Sequence, residues 1–256
     1  MNRQDKYVII VAGGKGLRMG GDIPKQFMLL EGRPVLMHTI QAFYGYDSTI
    51  RIFLVLPHEQ KEYWKNLCVE YDFSVPHQIV LGGETRFHSV KNGLEAIGKI
   101  LLHRSPFAVH EKIPATNALI GVHDGVRPLV DKELIGNVYA QADSGDAAFP
   151  AIPVTDSMRK LADDLQTTVP ADRSRYFFVQ TPQVFKAGIL FEAYRQTYEP
   201  RFTDDVSVVE TLGICRPVMV EGSRGNIKIT APADLIIAQA LWLMVNDFHV
   251  TQGYHF

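Results

Sequence analysis

Three cationic side chains fall in one glycine-rich stretch near the start of the chain. Ala12-Gly13-Gly14-Lys15-Gly16-Leu17-Arg18-Met19 is followed by Pro24-Lys25-Gln26-Phe27. Glycines let the backbone approach a phosphate closely and turn successive N–H groups toward it. Lys15, Arg18 and Lys25 add positive charge. The chemistry these residues suit is the binding and neutralisation of a polyphosphate. Two familiar phosphate loops do not fit. Counted from Gly14 and Gly16, the third glycine of G-x-G-x-x-G falls on Met19, and the Gly-Lys-Ser/Thr of a Walker A loop is missing. On its own the stretch could be only a tight strand-to-helix turn.

Other clusters carry polar groups at similar places. Gly82-Gly83-Glu84-Thr85-Arg86-Phe87-His88-Ser89-Val90 opens a helical pattern, where backbone amides can bind an anion or a base edge; a glycine turn is the plainer alternative. His123-Asp124-Gly125-Val126-Arg127-Pro128 ends an apolar run. An aspartate there is placed to hold Mg²⁺ that also binds phosphates, or else to pair with Arg127 inside the loop. Thr181-Pro182-Gln183-Val184-Phe185 follows a further strand pattern. Before the helical run from residue 204, Thr203 could cap, and Asp204 and Asp205 suit a helix start. Lys228, just ahead of the last long helical run, reads by itself as surface charge. The nine histidines show no metal-ligand spacing, and no Ser-His-Asp or Cys-His set stands out. His88 and His123 are expected to pack or hydrogen-bond.

The elements that must position these loops alternate. Strands are expected at 7–11, 50–56, 78–81, 118–122, 147–151, 177–180 and 217–220, several of them continuous and β-branched as in a fully buried sheet. Helices are expected at 34–44, 59–71, 87–100, 131–142, 186–198, 204–212 and 232–248, the last with Thr230 as N-cap and Asp234 in its first turn. Alternation of this kind predicts an α/β fold with a mostly parallel sheet flanked by helices, with ligands outside the carboxyl ends of the strands. The loops after Val11, Leu81, Val122 and Ala151 are then the places for a site. Residues 153–175 hold short strand-like pieces around Ala162-Asp163-Asp164 and predict a projecting β-hairpin arm within one domain of residues 1–256. Residues 103–117 have no period and read as a surface insertion.

Composition narrows the partners. Of 256 residues 46% are hydrophobic and 21% charged, as in a packed globular protein. The formal net charge of −2 argues against a nucleic-acid or membrane-surface binder. No apolar run reaches the roughly 18 residues a membrane span needs. The two cysteines, Cys68 and Cys215, make no disulfide framework or zinc spacing, which fits a reducing, cytoplasmic setting.

The glycine loop with Pro24-Lys25 is similar to the signature of nucleotidyltransferases that act on sugar and polyol phosphates. Taken together, the motifs resemble the 2-C-methyl-D-erythritol 4-phosphate cytidylyltransferase family of non-mevalonate isoprenoid synthesis. The match runs in order from Val11 to about Ala240. It includes Ala-Gly-Gly-x-Gly-x-Arg-Met with Pro-Lys-Gln-Phe, Gly-Gly-Glu-x-Arg-x-x-Ser-Val, His-Asp-x-x-Arg-Pro, Pro-Val-x-Asp-Ser-Met, Asp172-Arg173, Thr-Pro-Gln-x-Phe, Thr-Asp-Asp and Val-Glu-Gly-x-x-x-Asn-Ile-Lys.

The resemblance implies a Rossmann-like nucleotidyltransferase fold and a CTP- and Mg²⁺-dependent transfer to a polyol phosphate. Arg18 and Lys25 would stabilise charge at the α-phosphate, and Gly14 and Gly16 would wrap the triphosphate. Ala12, Gly13, Gly83 and Ser89 would line the cytosine and ribose site, with Arg86 in the nucleotide-binding set. Asp124 would sit at the ribose or metal with Arg127 nearby. Ser157, Arg173, Thr181, Thr203 and Lys228 would hold the methylerythritol phosphate, Arg173 and Lys228 counting as catalytic. The family forms homodimers with interlocking arms, so Ser157 and Arg173 would serve the partner's site. Ser157 stands where the family usually has Thr, and Gly125-Val126 replaces the common Ala-Ala. A ribitol-5-phosphate cytidylyltransferase, or a nucleotide-binding module without activity, are the alternatives. The missing third glycine disfavours a dehydrogenase.

Overall fold

The computed structural model describes residues 4–13, 23–103, 117–163 and 166–251. In chain order the elements are β1 (Lys6–Val11), a 3₁₀ turn (Lys25–Phe27), β2 (Leu29–Leu30), β3 (Arg33–Pro34), α1 (Val35–Tyr46), β4 (Arg51–Leu56), α2 (Lys61–Glu70), β5 (Gln78–Leu81), α3 (Arg86–His103), β6 (Leu119–Asp124) and α4 (Lys132–Gly145). There follow β7 (Ala147–Pro153), β8 (Met158–Leu161), β9 (Thr168–Ala171), β10 (Phe177–Val179), β11 (Gln183–Lys186), α5 (Ala187–Ala193), α6 (Asp205–Leu212), β12 (Val218–Glu221) and α7 (Pro232–Thr251).

The main sheet runs β10-β7-β11-β6-β1-β4-β5, with β12 beside β7. Successive residues of a strand face opposite sides, and β1 shows what that does here. Val8 and Ile10 pack with Leu54, Leu56, Leu36, Ile40, Phe43, Leu134 and Val138 under α1 and α4. Tyr7 and Ile9 pack with Phe53, Val55, Val90, Leu94, Ile97 and Leu190 under α3 and α5. Both faces are covered, so an uninterrupted apolar strand is what the position demands. A third cluster joins α7 to β2, the start of α1 and the loop after β6 through Leu30, Val35, Val126, Ile229 and Ala238.

β6, β1, β4 and β5 are mutually parallel, with Val11 opposite both Asp124 and Val55, and Leu56 opposite Leu81. Their carboxyl ends therefore stand in one row. β11 runs antiparallel to both β6 and β7, which makes the sheet mixed. The expected strands are present to within a few residues. β11 was not among them: its four residues follow Thr181-Pro182 directly and offer too short a run to read. The helix expected over 186–198 stops at Ala193, where the Gln196 side-chain amide donates to the Ala193 carbonyl and to Val208 O as the chain turns away.

The cap expectations need two corrections. At α6 Asp204 caps, as its place at the helix start leads one to expect, accepting from the Ser207 N–H while Ser207 reaches back, and Thr203 does not. At α7 the Asp234 carboxylate accepts from the N–H and hydroxyl of Thr230 and the N–H of Ala231, so Thr230 donates rather than caps. β8 and β9 form an antiparallel hairpin of their own, Met158 opposite Ala171 and Leu161 opposite Thr168, as expected for the arm. Gly14, Gly16, Arg18 and most of the 103–117 stretch lie outside the described residues. Among the described residues no helix is long and apolar enough to cross a membrane.

Candidate active site

The row of strand ends opens onto a cavity of about 560 Å³. Ala12 and Gly13 reach it from β1, Gly82 to Arg86 and Ser89 from the β5–α3 turn, Asp124 and Val126 from β6, and Lys25 and Lys228 from loops that are distant in sequence. Eight of the expected residues thus meet here: Ala12, Gly13, Lys25, Gly83, Arg86, Ser89, Asp124 and Lys228. The loop after β7 does not line it, because antiparallel β11 sets β7 one strand further from β1. Pro57, His58 and Glu59 after β4 take that place, which the sequence reading missed.

The turn between β5 and α3 is held shut from within. The Gly82 N–H donates to Leu56 O, and the Gly83 N–H donates to the Ser89 hydroxyl at 3.1 Å. A Cβ on Gly83 would lie 2.5 Å from that of His88, so only glycine fits without moving the first turn of α3. His88 itself hydrogen-bonds Thr85 and does not line the cavity.

Charge converges on Asp124. Lys228 Nζ is 2.9 Å from its Oδ2, Arg127 Nε 3.4 Å from the same oxygen, and Arg86 Nε 3.9 Å from Oδ1. Burial works against the charged carboxyl, but the three cations outweigh it and hold Asp124 well below the ordinary carboxylate range. Arg86 is also engaged behind the cavity wall: its fork meets both oxygens of Asp205 at 2.9 and 2.6 Å. Burial disfavours its charge, and Asp205 more than compensates, raising its pKa. Asp205 stands at a helix start, as expected of it and Asp204, and is in addition a fully buried partner of Arg86.

Lys228 is no stray surface charge. Its loop is tied to the end of β6: the Arg127 guanidinium donates to Asn226 O at 2.7 Å, Asn226 donates to Thr181 O, and the Ile229 N–H donates to Val126 O. The Thr181 hydroxyl accepts from the Asp124 N–H and contacts His123 Nδ1 at 3.0 Å. His123 is fully buried, its other ring nitrogen 3.2 Å from Arg127 O, and burial pushes its pKa down to about 3. It is a neutral hydrogen-bonding residue, as expected.

Gln26 was quoted in a motif but given no role. Fully buried, it donates to Ala12 O at 2.9 Å and to Gln60 at 2.6 Å, joining β1 to the segment after β4. Thr203, Ser157 and Arg173 do not line the cavity; all three are exposed, and Arg173 donates to Thr155 O within the arm. Arg127 and Thr181 stand immediately behind the lining residues.

Among the described residues no cluster of three or more His, Cys, Asp or Glu could hold a metal ion. The cavity lining offers three carboxylates, Glu59, Glu84 and Asp124, and Asp124 stands beside the cations Lys228 and Arg86. That set fits Mg²⁺ arriving with a polyphosphate, since the ion commonly takes one or two carboxylates and completes its shell with phosphate oxygens and water.

A family model described as 2-C-methyl-D-erythritol 4-phosphate cytidylyltransferase matches residues 7–243. A protein of that name from Azobacteroides pseudotrichonymphae is 52% identical over 238 residues, covering 93% of this chain and 99% of the relative. One from Bacteroides thetaiotaomicron is 51% identical, covering 91% and 98%. The solved cytidylyltransferase of Francisella tularensis superposes with a TM-score of 0.69 at 29% identity over 93% of this chain and all of that one. That of Thermus thermophilus gives 0.68 at 28% identity, covering 93% and 98%. The mixed sheet, the strand-end cavity and the ordered motifs are those of a Rossmann-like nucleotidyltransferase, and this chain belongs to the 2-C-methyl-D-erythritol 4-phosphate cytidylyltransferase family.

Proposed function

We infer that the chain transfers the cytidylyl group of CTP to 2-C-methyl-D-erythritol 4-phosphate, giving 4-CDP-2-C-methyl-D-erythritol and pyrophosphate. The observation that carries this is the convergence of Lys25, Lys228 and the Gly83–Ser89 turn on one cavity beside Asp124. A phosphate-monoester oxygen of the acceptor attacks the α-phosphorus of CTP; the new P–O bond forms as the bond to the β-phosphate bridge breaks. The monoester's second pKa is near 6, so it is largely dianionic at pH 7 and needs no general base. The neutral, doubly hydrogen-bonded His123 fits a site without one.

The barrier is the approach of two anions. Lys25, with Arg18 of the glycine loop, neutralises the triphosphate and the charge that develops on it. Lys228, Thr181, Thr203 and Arg127 hold the acceptor, Lys228 through the ammonium that Asp124 steadies. Ala12, Gly13, Gly14, Gly16, Gly83 and Ser89 enclose the nucleotide. Cytosine presents an amino donor at N4, and backbone carbonyls of such a wall can read it. Asp124 would hold Mg²⁺ together with the triphosphate; when bound, the ion supplies further charge neutralisation there.

The same reading makes the protein a homodimer. The arm's Ser157 and Arg173 are exposed and do not line their own chain's cavity, and Phe177, Phe178 and Val179 expose apolar surface along the edge strand of the main sheet, a surface suited to a partner. Cys68 and Cys215, both free thiols, agree with a cytoplasmic location. Incubation with CTP, Mg²⁺ and each acceptor, with pyrophosphate followed, tests the function. Release with methylerythritol phosphate supports it. Release only with ribitol 5-phosphate assigns the other acceptor, and release with neither leaves a nucleotide-binding module.

A further inference from the structure

Asp205 is completely buried at the first turn of α6, yet it is charged machinery rather than packing. Both oxygens are used. Oδ1 accepts from Arg86 at 2.9 Å and from the Tyr194 hydroxyl at 2.5 Å, and Oδ2 accepts from Arg86 at 2.6 Å. The N–H groups of Asp205 and Val206 both donate to Gln183 Oε1 at 2.9 Å, and Gln183 in turn donates to Asp204 at 2.8 Å. A buried ion pair is seldom the most stabilising way to fill such a volume, because desolvation cancels much of the attraction. What it does provide is direction.

The direction matters because of what lies at the other end of Arg86. Two guanidinium nitrogens are committed to Asp205, and the third, Nε, faces Asp124 at 3.9 Å. Asp124 already holds Lys228 at 2.9 Å and Arg127 at 3.4 Å. Arg86 is on the first turn of α3, beside the Gly83–Ser89 turn, whereas Asp205 is two residues beyond Thr203. One ion pair thus joins the turn that lines the cavity to the segment carrying Thr203.

We propose that Asp205 is a positioning residue for the transfer: it anchors Arg86 so that Asp124 remains free to hold Lys228, and it keeps the nucleotide and acceptor sides of the cavity in register. This rests on the function proposed above. Without the carboxylate, Arg86 keeps its charge and turns to the nearest anion, Asp124, displacing Lys228.

The test is the Asp205→Asn variant, which keeps the shape of the side chain and removes its charge. At a temperature where circular dichroism shows it folded, kcat/KM for the acceptor is expected to fall about 10- to 100-fold, the scale of a misplacement of about 1 Å. The dissociation constant for CTP should stay within about threefold, since Lys25 and the Gly83–Ser89 backbone are untouched. A crystal structure of the variant should show the Arg86 guanidinium against Asp124. Unchanged kcat/KM with only a lowered Tm, or Arg86 unmoved in the variant, overturns the proposal. Should Asp205→Asn not fold, Tyr194→Phe loosens the same carboxylate without altering charge. It should lower kcat/KM for the acceptor several-fold, and an unchanged value there overturns the proposal as well. The wild type in the same assay separates the two readings: no turnover with any acceptor defeats the assigned function, whereas normal wild-type turnover with an unaffected variant defeats only the role of Asp205.

Discussion

Lys228 and Asp124, from opposite halves of the chain, meet at 2.9 Å in the cavity wall, the lysine two-fifths exposed and the aspartate almost covered. The asymmetry separates function from stability. Lys228 keeps a face toward the cavity, while Asp124 also balances Arg127 and Arg86. Lys228→Ala should therefore lower kcat by about 10²–10³, the usual cost of losing one donor to reacting charge, with little change in the urea midpoint, since half-exposed pairs contribute little. Asp124→Ala removes the centre of three cations and should destabilise by about 3–5 kcal/mol in urea unfolding. Equal stability losses in the two variants would contradict this division.

Lys25 follows Pro24 on a one-turn 3₁₀ segment whose next residue, Gln26, is bolted to Ala12 and Gln60. Its stem thus leaves from a fixed point. Lys25→Ala should cost about 10²–10³ in kcat with a smaller change in the KM of the acceptor. Lys25→Arg should restore only part of the rate, because a planar fork does not replace a compact ammonium on the same stem. Single-turnover measurements at saturating CTP read this directly, and near-normal turnover of the alanine variant removes Lys25 from the chemistry.

How much of this was legible in the sequence follows from the range of each interaction. β1 and β4 announce themselves because burial on both faces forces continuous apolar runs. The strand-end loops follow from parallel topology, and the glycine turn at 82–83 from local sterics. Motif order placed Lys25, Asp124 and Lys228 in one site, although Lys228 in isolation reads as surface charge. The Asp205–Arg86 pair was hidden, because an acidic residue at a helix start already has a sufficient local explanation and its partner is far away in the chain. Gln26 was hidden for the same reason. A buried amide bridging two strand ends leaves no periodic trace. The antiparallel β11 escaped because four residues carry too little pattern to outweigh the proline before them.

Three buried or half-buried histidines make a pH prediction. Burial lowers the pKa of His123 to about 3, and it lowers those of His38 and His77 as well. In the unfolded chain a histidine titrates near 6.5. Between the two values the unfolded state binds the extra proton, so stability is full above about pH 6.5 and is lost as the pH falls toward the folded value. The urea midpoint should thus drop between pH 7.5 and 4.5, before most carboxylates titrate. His123→Asn, which keeps polar atoms for Thr181 and the Arg127 carbonyl, should be less stable at pH 7.5 but show a visibly flatter dependence. An equal slope in that variant would assign the loss to other groups.

The arm offers the sharpest test of assembly. Arg173 and Ser157 are exposed at the foot of the hairpin and absent from the cavity lining of their own chain, while Lys25 lines it. If each active site combines Lys25 of one subunit with Arg173 of the other, the two single variants must complement. Lys25→Ala and Arg173→Ala homodimers each carry two damaged sites. A heterodimer of the two carries one doubly damaged site and one in which both residues are native. Random exchange makes about half of the dimers mixed, so about a quarter of all sites should recover, and turnover in the exchanged mixture should rise to about a quarter of the wild-type value. Sedimentation should report dimers throughout, and Phe178→Asp, placed on the apolar edge strand where the side chain is 59% exposed, should shift them toward monomers. Were both residues supplied by one chain, mixing would leave the activity at the average of the two variants, because no exchange of subunits could assemble an intact site.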